Sequence, residues 1–100
     1  MMSSEGLHVP RERLSDKTYA IHLAITSLKE ELEAADWYGQ RADDCVDETL
    51  RNVLLHNMRE EIEHAAMIIE WLRRNSSDFN KQLKKYVPSE GDIVALGHEA

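Results

Sequence analysis

Met58-Arg-Glu-Glu-Ile-Glu-His-Ala-Ala-Met67 decides how the rest of the chain is read. Inside a run with the period of an amphipathic helix, Glu61 and His64 stand three residues apart. That spacing puts a carboxylate and an imidazole side by side on one helical face. Upstream, Asp47 is a candidate N-cap with Glu48 in the first turn. Downstream, Arg73, Arg74, Asn75, Ser76 and Ser77 suit a C-terminus, so a helix is predicted from there to about Arg74. Leu50, Leu54, Asn57, Glu61, His64, Ile68 and Trp71 line one side of it. Leu55, Ile62, Ala66 and Ile69 form a second apolar stripe that a lone hairpin would leave uncovered.

Before this helix, Ser15 is a candidate N-cap followed by Asp16, and a long helix is predicted to about Asp43. Its stripe is Ile21, Ala24, Ile25, Leu28, Leu32, Ala35 and Tyr38, with Gly39 a weakness of about 1 kcal/mol. Asp43 to Asp47 reads as a tight connection, with Cys45 a small side chain in the turn. A shorter helix is expected over Asp78 to Tyr86, stopped by Pro88. The fold class is therefore all-α: an antiparallel two-helix hairpin plus a short C-terminal helix. The divisions are a flexible N-terminus (1–14), the hairpin (15–75), and the short helix with its tail (76–100).

With 100 residues, the chain buries only about two thirds of its extended surface if it folds alone. The formal net charge of -7 argues against nucleic acid as a partner. A single cysteine, Cys45, gives no internal disulfide. The sequence shows neither a signal-peptide core nor an apolar run of about 20 residues, so no membrane role is expected and the cytoplasm is the default location.

Taking Cys45 as the pivot, Glu31 lies 14 residues before it and Glu61 lies 16 after it. At 1.5 Å per residue both stand about 20–24 Å from the turn, and His64 is close to that height. All three interrupt apolar faces, where an unpaired carboxylate is costly. Dimerisation about a two-fold axis at this height would assemble two copies each of Glu31, Glu61 and His64. That is the ligand inventory of a di-iron bundle. Carboxylates and imidazole suit iron or manganese better than a closed tetrahedral zinc site. Two rivals stand beside this reading. One is a noncatalytic dimerisation or scaffold module with a buried hydrogen-bonded network; the other is a carboxylate-bridged di-metal oxidase acting on an organic substrate.

The sequence also resembles a known family. Glu30-Glu-Leu-Glu-Ala-Ala-Asp-Trp-Tyr38 with Arg41, His56-Asn-Met-Arg-Glu-Glu-Ile-Glu-His-Ala65, and Glu70-Trp-Leu-Arg-Arg-Asn75 are similar to the encapsulated ferritins, of the ferritin-like superfamily. The resemblance covers about residues 15–90. It implies a hairpin that dimerises into a ferritin-like four-helix bundle, with a ferroxidase di-iron centre at the interface built from Glu31, Glu61 and His64. It also implies Glu30 and Glu33 on the path of incoming metal, and Trp37 and Tyr38 beside the centre. Other divalent cations such as Ca, Mn or Zn are expected to occupy such sites. The expected assembly is an annular homodecamer, a pentamer of dimers, inside an encapsulin nanocompartment where iron is mineralised and stored. Members carry a C-terminal peptide that docks to the shell. This sequence ends at Ala100 without one, and truncation is the expected reason. His22 is read as an interface residue, His56 and Asn57 either as residues behind the ligands or along a channel or as interface hydrogen-bonding residues, and the Arg73-Arg74 pair as capping and salt-bridge residues.

Overall fold

Ser15 opens the first helix as its sequence predicts: its hydroxyl accepts a hydrogen bond from the Thr18 amide at 3.0 Å. In the computed structural model, which describes residues 6–98, α1 runs Asp16–Asp44 and α2 runs Glu48–Asn75. The Asp47 carboxylate caps α2 by accepting from the Leu50 amide at 2.8 Å. Only Cys45, Val46 and Asp47 separate the two helices. The half-buried Cys45 points its Sγ at the Asp47 carbonyl, 3.5 Å away. A third helix, α3, spans Ser77–Tyr86, and a single turn, α4, spans Ile93–Leu96. No strand occurs among the described residues.

One residue, Ser76, links α2 to α3. Its amide donates to the Leu72 carbonyl at 2.9 Å, closing α2, while its hydroxyl accepts from the Phe79 amide at 3.2 Å, opening α3. The junction is locked from the side by Glu70. Its carboxylate accepts from Arg73 Nε at 2.7 Å, Arg73 Nη2 at 2.8 Å and Arg74 Nε at 2.6 Å, and Arg73 Nη1 reaches Asn80 Oδ1 on α3 at 3.0 Å. The expected salt-bridge role of Arg73 and Arg74 is thus present, Arg73 also orients α3, and the cap of α2 is supplied by Ser76.

α1 and α2 pack against each other along their length, and α3 rests on α2. Ala42, Ala65 and Leu72 are the buried hydrophobic residues among those described. Two alanines in the seam allow close backbone approach. The predicted stripes were broader than the seam that forms. Leu32 stands about 100° round the helix from Glu31 and Ile25 about 120°, so both are exposed at the edge of the hairpin, as are Leu50 and Ile62. The accessible surface is 7895 Å², against about 5,800 Å² for a compact monomer of this mass. The radius of gyration, 17.4 Å, exceeds the about 13 Å of a compact 100-residue domain. The protomer is an open plate, 49 × 43 × 19 Å, with two apolar faces.

The segment before α1 contains a 3-10 turn at Arg11–Arg13 and lies back along the helix. The Arg11 guanidinium sits 4.0 Å over the Tyr19 ring. Gly6 meets the His22 imidazole so closely that a Cβ there would come 2.8 Å from Cε1. His22 is therefore partly covered by its own chain. Residues 1–5 of the expected N-terminal segment and 99–100 of the tail lie outside the described residues.

Leu72, fully buried, should be the most sensitive core position: Leu72→Ala is expected to cost about 2–5 kcal/mol, read as a lower urea midpoint. The pair of arginines holds the Glu70 carboxyl down to about 2. A depressed carboxyl contributes stability above its unfolded value near 4.5 and loses it as pH falls towards 2. Glu70→Gln should therefore lower the melting temperature at pH 6 and remove most of that difference by pH 2.5.

Candidate metal centre

The height matching predicted from the turn is met. α1 delivers Glu31 and α2 delivers Glu61 and His64 to one point of the seam. His64 Nδ1 lies 3.0 Å from Glu31 Oε1 and 3.7 Å from Glu61 Oε1. One donor atom from each residue falls within 4.8 Å of the others, and the three form a group with the composition and spacing of metal ligands. The two carboxylates are largely covered, with side-chain exposures of 21% and 23%, while the imidazole is 45% exposed. The cluster therefore opens through the His64 side onto the face of the plate.

Its electrostatics are those of a site short of positive charge. Loss of surrounding water is the first cause pushing the Glu61 carboxyl above the ordinary carboxylate range. A hydrogen bond shared with Glu31 and the charge of Glu31 push it further, and His64 opposes them. Neither Glu31 nor Glu61 has a Lys or Arg partner among the described ion pairs. A divalent cation would bind two hard oxygens and one borderline nitrogen, a set suited to iron or manganese. Three protein donors fill half of a six-coordinate shell. The remainder must come from water or from another chain.

The other residues expected at the site divide into two groups. Glu30 and Glu33 are exposed, next to Glu31 on α1 but outside the cluster. Trp37 is 48% exposed and Tyr38 half-buried; the Arg41 guanidinium stands 6.0 Å and 5.6 Å from their ring centres. Tyr38 makes no hydrogen bond to Glu31 among the described residues. An apolar groove of about 420 Å³ is lined by Ala20, Leu23, Ala24, Ser27, Met67, Ile68 and Trp71, of which Ser27 and Ile68 each stand one helical turn from a cluster residue, Glu31 and His64. Trp71 was predicted on this side; Leu23 and Met67 were not singled out, because each falls off the strict apolar period.

A hairpin with one carboxylate on its first helix and E-x-x-H on its second is half of a carboxylate-bridged di-metal bundle, the ferritin-like class. The EncFtn-like family profile matches residues 6–90, and the chain belongs to this family. It is 49% identical over 94 residues to an encapsulated ferritin-like protein of Rhodospirillum rubrum, covering 94% of this chain and 67% of that one. It is 44% identical over 96 residues to a ferritin-like protein of Thermotoga maritima, covering 96% and 84%. The crystal structure of a Nitrosomonas europaea protein superposes with a TM-score of 0.83 at 49% identity, covering 88% of this chain and 97% of that one. Family and cluster together support a di-iron active site of the ferroxidase type, an oxidoreductase centre.

Glu61 gives a signed prediction. A raised carboxyl contributes stability below its unfolded value near 4.5 and loses it as pH rises through the folded value. Metal-free protein should therefore lose thermal stability as pH rises above 4.5, and Glu61→Gln should flatten that slope. The same substitution should abolish the stabilisation that Mn(II) gives the parent protein, measured by differential scanning calorimetry with and without metal.

Proposed function

We propose that the chain oxidises Fe(II) to Fe(III) at a di-iron centre completed by a second copy, supplying ferric iron for mineralisation and storage in an encapsulin nanocompartment. The observation that carries this reading is the Glu31, Glu61 and His64 cluster, with its three preformed donors and its open side. In the paired state Glu31 and Glu61 of both copies surround the two ferrous substrate ions, and His64 Nδ1 supplies one nitrogen to each. The acidic ligands favour the ferric product over the ferrous substrate, and two electrons leave the pair for an oxidant such as dioxygen. Glu30 and Glu33 draw cations to the outer edge of α1. Trp37 and Tyr38, one to two turns along, border the centre.

The apolar groove beside the cluster is the seat of the partner hairpin. The opposite apolar face, with Ile25, Leu32, Ile62 and Ile69, suits contacts between dimers, consistent with an annular decamer of five dimers. The family and the encapsulated relative favour association with an encapsulin shell in the cytoplasm. The domain plan follows: the hairpin, 15–75, forms the bundle, and the region 78–96 bridges neighbouring dimers. Nothing observed favours the scaffold reading.

Anaerobic titration of the purified assembly with Fe(II), followed by the oxidation rate on admitting air, tests the proposal. Saturation at one ion pair per dimer is expected, with the rate falling by about tenfold or more in Glu31→Ala and His64→Ala. An unchanged rate in both variants, or no acceleration over protein-free iron, would rule the proposal out.

A further inference from the structure

The end of the hairpin remote from the turn, where α1 begins and α2 gives way to α3, holds a cavity of about 430 Å³ whose lining includes Lys17, Arg73, Arg74, Ser76, Ser77 and Asn80. No carboxylate lines it, although the chain has 19 acidic residues and a formal net charge of -7. Glu70 accepts from both arginines, so one negative charge stands against two positive ones, and Lys17 adds a third. Arg73 is engaged at all three of its nitrogens, by Glu70 and Asn80. Arg74 uses only Nε, which leaves its two terminal amino groups without a protein partner among the described residues, as is the Lys17 ammonium. The arginines occupy the last turn of α2, where the helix dipole favours cations. Lys17 lies in the first turn of α1, where the dipole disfavours one, so the dipole does not account for its place.

We propose that this cavity binds a phosphate dianion, either free or as the terminal group of a phosphate monoester. The Arg74 fork offers two parallel donors to phosphate oxygens, Lys17 offers a point charge, and the Ser77 hydroxyl offers a neutral donor. The Ser76 hydroxyl oxygen already accepts from Phe79, and its O–H remains free to donate. Along α1, Lys17 stands about 21 Å from Glu31, so this site is separate from the metal cluster and does not depend on its reading.

Isothermal titration of the full chain in its assembled state with inorganic phosphate, in chloride buffer, tests the proposal. One phosphate per chain is expected, weakened about tenfold or more in the Lys17→Gln/Arg74→Gln double variant, while Fe(II) oxidation in phosphate-free buffer is unchanged. Should the double variant fail to fold, Lys17→Gln alone, an exposed position, must still weaken binding. A parallel titration with AMP separates the sources: equal affinity assigns the site to the free anion, and tighter binding assigns the remaining volume to an organic group. Absence of saturable binding to either probe, or equal affinity for phosphate in parent and variant, overturns the proposal.

Discussion

Two carboxylates and an imidazole meet in the middle of an apolar seam without a Lys or Arg to answer them, and the character of the protomer follows from that. Glu31 and Glu61 are about four-fifths covered, and partial loss of water already raises the proton affinity of Glu61. A scaffold would replace such a cluster with aliphatic side chains at little cost, since buried polar sets are seldom the cheapest route to stability. A cation resolves the conflict directly, because the crowded carboxylate oxygens become its ligands.

The same hairpin is poor in core. Three buried hydrophobic residues among those described and 7895 Å² of surface leave little to offset the conformational entropy lost on ordering the chain. Leu23, Met67 and Trp71 on the metal-bearing face, and Leu32 and Ile62 on the other, remain open to solvent in the single chain. Metal binding, burial of these faces and folding are therefore linked equilibria, each strengthened by the others.

Much of this was legible in the sequence because it depends on local rules. Ser15 and Asp47 cap the helices as their side-chain chemistry dictates, and the short connection fixes the antiparallel register that brings Glu31 level with Glu61 and His64. The metal trio was accordingly found by counting residues from Cys45. What escaped depends on how two cylinders meet. Ala65 and Leu72 were absent from both predicted stripes, yet they are buried in the packed protomer, while Leu50 and Leu32 are left at the rim. The part Glu70 plays in setting α3 was not legible, because it depends on Arg73 reaching across to Asn80 after the chain turns at Ser76. The fold of residues 6–14 onto His22 had no periodic signal to announce it.

On the proposed function, the subunit contact and the reaction centre are one place. Anomalous scattering at the iron edge from Fe(II)-loaded crystals tests it most directly. Two iron peaks are expected, related by a two-fold axis, each within bonding distance of one His64 Nδ1 and of Glu31 and Glu61 oxygens from both chains. A single peak held entirely within one chain, or iron bound away from these residues, would contradict the account.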